Sequence, residues 1–156
     1  MKTKKGFTLV ELLVVVILLG VLVAIAVPSF LHSIRANSVK AKADELVALL
    51  RYARTESLTK KKNITVVFDK SAWQVKLGDT VERLITMDDL TYSHNLSADH
   101  ITFINSGRVT SNVDFLICKE NDVQSAIYIS LEQTGIINTH EAGKNKLGEA
   151  ITSCQF

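Results

Sequence analysis

Leu12 to Val27 is a run of 16 residues without one polar side chain, and a basic tip, Met1-Lys2-Thr3-Lys4-Lys5, stands ahead of it. Counted from Phe7, the stretch is 21 residues long. As an α-helix it reaches about 31 Å, enough to cross the hydrocarbon core of a bilayer. A basic tip before an apolar helix is a membrane-targeting pattern, with the lysines retained on the cytoplasmic side. Gly20 and Pro28 are its weak points. Pro28 lacks a backbone donor and crowds the preceding turn, so a kink is expected there.

The rest of the 156-residue chain reads as one polar soluble domain, with 47% hydrophobic and 22% charged residues overall. That balance allows a packed core and excludes wholesale disorder. One Pro, seven Gly and no repeat of domain-building length exclude collagen-like, linker-like and solenoid architectures. The net charge is +2, but three of the 18 cations lie in the first six residues. Without them 15 cations face 16 carboxylates. No global field then attracts nucleic acid, so any such binding needs a local patch.

Glu11 sets the N-terminal helix apart from an ordinary export signal. Ala24-Ile25-Ala26 loosely fits a signal-peptidase site, and on that reading the helix is removed. A carboxylate at mid-membrane costs about 2.5–3.5 kcal/mol, which a disposable signal has no reason to bear. A retained helix that later pairs the carboxylate with a cation does.

Gly6-Phe7-Thr8-Leu9-Val10-Glu11, between a short basic leader and a long apolar helix ending near Pro28, resembles the processing motif of type IV prepilins and type II secretion pseudopilins. The resemblance implies that a prepilin peptidase cuts after Gly6 and methylates the new amino group of Phe7. It implies a leader at residues 1–6, a membrane and fibre-core helix at 7–29, and a periplasmic head at 30–156. The expected partners are other minor and major pilins, the peptidase and the inner membrane. The resemblance further implies a chain first anchored by a single pass with its head in the periplasm, then packed in a pilus or pseudopilus. Glu11 can neutralise a neighbouring subunit's Phe7 amine as the helix leaves the membrane. An unpaired buried charge is strongly unfavourable, so such a pair would fix axial register.

Beyond Pro28 the helical pattern is expected to resume and run to about Thr59. Val39, Ala43, Leu46, Val47, Leu50, Ala53 and Leu58 recur at helical spacing, with charges mostly opposite, as in a helix packed on a core. Arg51, Arg54 and Lys60-Lys61-Lys62 gather near its end. Attraction to the helix dipole explains them, and a phosphate site is the alternative. Alternating segments at 64–68, 73–77, 81–85, 101–104, 114–117 and 126–130 predict strands, with Gly107 and Gly135 at turns. The expected class is α+β, a long helix packed on an antiparallel sheet. Glu45-Leu-Val-Ala-Leu-Leu-Arg-Tyr-Ala-Arg-Thr-Glu56, Ile101-Thr-Phe, Phe115-Leu-Ile-Cys118 and a late Cys154 resemble the minor-pilin branch containing FimT, FimU and the pseudopilin GspH. This implies a low-copy subunit that starts or caps a pilus.

Cys118 and Cys154 are the only cysteines. Export would put them in an oxidising compartment, where a bridge could tie down the C-terminus; two buried free thiols are the alternative. Their spacing is not that of a zinc or redox motif. His32, His94, His100 and His140 are scattered, and no metal, cofactor or catalytic signature is found. The reading is a peptidase substrate, not an enzyme.

Two functions compete: assembly subunit and DNA-uptake receptor. In FimT-like DNA receptors the resemblance implies an arginine pair in a C-terminal loop. The matching stretch here is Gly135-Ile136-Ile137-Asn138, with neither arginine. Arg108, Lys144 and Lys146 remain as a weaker set of possible DNA contacts, and so few cations give weak, salt-sensitive binding. Assembly is favoured, and a type II secretion pseudopilin shares the same chemistry in another machine.

Overall fold

The structure is a computed structural model and describes residues 8–86 and 90–156, apart from the side chains of four helical residues, 28, 29, 31 and 32. The chain divides into two compact units, Met1–Arg35 and Ala36–Phe156. A single helix, α1 (Leu9–Lys60), supplies most of the first unit and opens the second. Pro28 does not end it. A proline removes one backbone donor and crowds the preceding turn, and a long helix bonded on both sides carries the chain past it. The expected long helix, apolar in its first half and amphipathic in its second, is thus one continuous element. The side chain of Pro28 lies outside the described residues.

In the second unit α1 buries Val39, Ala43, Leu46, Leu50, Ala53 and Ser57. The alternating steps of four and three keep these positions on one face. Leu58, expected on that face, is 38% exposed, and Ser57 takes the place instead. Ser57 fits because its hydroxyl donates to the Arg54 carbonyl at 2.7 Å, which leaves its oxygen satisfied among apolar neighbours. The helix ends with Lys61 at φ 54°, a left-handed residue after the last turn.

Eight strands follow: β1 (Ile64–Phe68), β2 (Ala72–Leu77), β3 (Thr80–Thr86), β4 (Thr91–His94), β5 (His100–Phe103), β6 (Val113–Cys118), β7 (Ile127–Leu131) and β8 (Ile137–Thr139). β1 shows why they form, with Ile64, Val66 and Phe68 buried while Thr65 and Val67 are partly open. They build two antiparallel four-stranded sheets, ordered β3-β2-β1-β5 and β4-β6-β7-β8. The expected α+β class holds, with two sheets sharing the core. β4 and β8 were not foreseen from the sequence, being short and only partly covered.

β6 is buried on both faces. Val113, Phe115 and Ile117 join the α1 face and the first sheet in the main core, which includes Phe68, Trp73 and Phe103. Leu116 and Cys118 point the other way, into a second cluster with Ala126, Tyr128 and Cys154. The C-terminal segment thus roofs the second sheet, which explains how β6 is buried on both faces and apolar at every position except Asp114.

Candidate functional site

The helix start is the first part of the site. Thr8 donates its backbone N–H to Glu11 Oε2 at 2.9 Å and its hydroxyl to the same oxygen at 3.0 Å. The Glu11 N–H donates back to Thr8 Oγ1 at 3.3 Å. This is a reciprocal capping box at a helix N-terminus, with the carboxylate at the positive end of the dipole. The signal, Thr then Glu three residues later, stands in the sequence at Thr8 and Glu11. Glu11 therefore has a local role as well as an expected intermolecular one. Gly6 and Phe7, the expected cleavage and methylation positions, lie outside the described residues.

From Leu9 to Val27 the helix is long and apolar enough to cross a membrane, and none of it is buried within the protein. Nineteen residues facing outward, all of them apolar except Glu11, require lipid or other helices as solvent.

The C-terminal segment is the second part. Cys118 and Cys154 form a disulfide with Cα atoms 6.0 Å apart. The Cys154 carbonyl accepts the Ser93 hydroxyl at 3.1 Å. Asp114, 7% exposed, is held by Lys146 Nζ at 3.0 Å and by Asn95 Nδ2 at 3.3 Å. Asn95 Oδ1 in turn accepts the Asp114 N–H at 2.9 Å. Phe156 stacks edge-on against Tyr128, 5.8 Å between centroids. Burial first, and the Asp114 carboxylate second, push the Tyr128 hydroxyl well above its ordinary pKa.

The possible DNA contacts do not gather into one patch of free cations. Lys146 is spent on Asp114 and Lys144 on Glu141. Arg108 is exposed in its turn, with its carbonyl accepting the Ile104 N–H at 2.9 Å. Asn138, where an arginine was sought, donates to Glu132 at 3.3 Å. In the basic cluster, Lys60 pairs with Glu56 at 2.8 Å and Glu82 at 3.2 Å, and Arg54 donates to the Thr134 carbonyl at 3.4 Å.

His94 is half-buried at the edge of the core, ringed by Phe68, Tyr92 and Phe115 and 3.6 Å from Asp99. His140 meets the Ser130 hydroxyl at 3.0 Å, and His100 is exposed at the start of β5. The side chain of His32 lies outside the described residues. Among the described residues no group of His, Cys, Asp and Glu is placed to hold a metal ion.

Two family models match. Residues 1–27 match the prokaryotic N-terminal methylation motif, and residues 42–135 match type II transport protein GspH. The type IV narrow pilus major component PilA5 of Thermus thermophilus is 35% identical over 106 residues, covering 67% of this chain and 90% of that protein. A fimbrial protein of Pseudomonas aeruginosa is 34% identical over 85 residues, 54% of each chain. Among solved structures, the P. aeruginosa type IV minor pilin FimU superposes with a TM-score of 0.65 at 22% identity, covering 76% of this chain and 96% of that one. The minor pseudopilin EpsH of the Vibrio cholerae type 2 secretion system gives 0.54 at 14% identity, covering 68% and 98%. The likeness to these structures shows a shared fold, and the matches to the family models and to PilA5 carry the relationship. The chain belongs to the type IV pilin-like family, in its GspH-type branch, and carries that family's N-terminal methylation motif.

Proposed function

We propose that the protein is a minor pilin incorporated in the initiation or tip complex of a type IV pilus. On this reading a prepilin peptidase cuts after Gly6 and methylates Phe7. The retained helix holds the chain in the inner membrane with its head in the periplasm, until it enters the fibre beside other pilins. Pro28 is then the place where the helix bends or loosens on leaving the lipid.

The observation that carries the reading is the Thr8–Glu11 pair at the head of a fully exposed apolar helix. A carboxylate already bound in a cap is cheaper to keep in a membrane than a free one. It still carries the charge that a neighbour's new amine needs. Glu11→Gln separates the two roles, because glutamine serves in a capping box but has no charge. We expect Glu11→Gln and Glu11→Ala to be processed alike and both to be lost from fibres. Normal incorporation of Glu11→Gln would reduce Glu11 to a cap.

A second reading is a type II secretion pseudopilin, favoured by the GspH match over residues 42–135. The closer superposition on FimU than on EpsH supports the pilus host. The PilA5 likeness, to a protein named as a major component, makes copy number the quantity to measure. Mass spectrometry of sheared fibres should find this chain far scarcer than the main pilin, and equal abundance would contradict the minor role. DNA capture is disfavoured, because Lys144 and Lys146 are already neutralised within the head.

A further inference from the structure

Two glycine turns stack over the end of α1. A side chain at Gly107 would meet Leu58 at 3.0 Å, and one at Gly135 would stand 2.2 Å from the Gly107 carbonyl oxygen. This contact brings the helix end, the Gly107–Arg108 turn and the Gly135–Ile136 turn to one end of the head. Leu58 and Ile136 are 38% and 46% exposed there. Lys61, Lys62 and Arg108 are exposed around them, and none has an ion-pair partner among the described residues. Lys60 takes both nearby glutamates, so Lys61 and Lys62 are left with the helix dipole alone and Arg108, on a separate turn, without either. Lys61 is also held in a left-handed conformation that a glycine would occupy more easily.

We infer that this end of the head docks a different protein subunit, one that offers an apolar side chain flanked by aspartate or glutamate. The inference rests on the reading of the chain as a fibre subunit, which gives the head neighbours. An apolar centre with a charged rim is the anatomy of a protein interface. A nucleic-acid groove would place its cations or stacking rings at the centre, where Leu58 and Ile136 stand. A second copy fits poorly. Among the described residues of the head, the most exposed large apolar side chain is Leu147, 74% exposed. Its turn carries Glu141 and Glu149 against Lys144 and Lys146, which does not complement a cationic rim.

The test uses the full-length chain in cells that assemble the fibre, with a photo-crosslinking amino acid at Ile136 and a control at Leu13 on the apolar helix. The expected result is an adduct from position 136 to an Asp- or Glu-rich segment of another pilin-type subunit. That adduct should fall about tenfold in the Lys62→Glu, Arg108→Glu double variant, as for loss of close charge pairs. Lys61→Gly should weaken it several-fold while the head melts no lower than the parent. Adducts to DNA, to a second copy, or to nothing while Leu13 still crosslinks would overturn the docking surface. Loss of the Leu13 adducts as well would overturn the fibre-subunit reading on which it rests.

Discussion

Gly135→Ala is the sharpest test of how the head is assembled, because two separable terms act at one atom. Gly135 has φ 83°, and an added Cβ would lie 2.2 Å from the Gly107 carbonyl oxygen and 2.8 Å from Arg54 Nε. The left-handed conformation alone costs an alanine about 1–2 kcal/mol. The overlap adds an overpacking cost of about 1–3 kcal/mol. The carbonyl cannot easily swing aside, since the Gly107 N–H donates to the Ile104 carbonyl at 2.8 Å and Leu58 fills the space where a Gly107 side chain would stand. Gly78 supplies the control, with φ 61° and nothing within 4 Å of the added carbon. Gly78→Ala should therefore pay the conformational cost only, about 1–2 kcal/mol. Urea unfolding of the oxidised head from Ala36 onward should show Gly135→Ala destabilised by about 2–5 kcal/mol. Equal losses in the two variants would refute the close stacking of the two turns.

Other consequences follow from the same contacts. Replacing Cys118 and Cys154 by alanine removes a cross-link spanning 36 residues. Loop entropy puts its worth at about 4 kcal/mol at most, so denaturant unfolding should show a loss of roughly 2–4 kcal/mol with the tail becoming protease-sensitive. Tyr128 has a folded pKa raised above its unfolded value, so its stabilising effect is complete below about pH 10 and is lost as pH rises beyond that. Thermal melts between neutral pH and pH 11 should show the parent losing stability more steeply than Tyr128→Phe above pH 10. Lys61→Gly should raise head stability by about 0.5–1 kcal/mol in urea titrations, because φ 54° favours glycine.

The fold was legible where one physical constraint ruled a segment. The N-terminal helix announced itself because 16 apolar residues in a row have few other solutions. β1 was found because Ile64, Val66 and Phe68 alternate with less buried neighbours. Legibility failed where a residue's fate depended on distant contacts. Leu58 looked like core by spacing, yet Gly107 crosses the helix there and Ser57 turns inward. β8 is a three-residue edge whose pairing with β7 local pattern could not reveal. Lys144 and Lys146 read as free cations because their partners, Glu141 and Asp114, are assigned only by the folded tail. At the site, the charge of Glu11 is plain in the sequence, whereas its bonds to Thr8 depend on the geometry of the folded helix start.

The central claim is that the apolar helix is retained and begins at a cut after Gly6. Mass spectrometry of the N-terminal peptide from fibre-borne protein tests it directly. The account predicts a chain that starts at Phe7 and carries one methyl group on its amine. A chain that starts beyond Val27, or that still carries Met1 to Gly6, would contradict it.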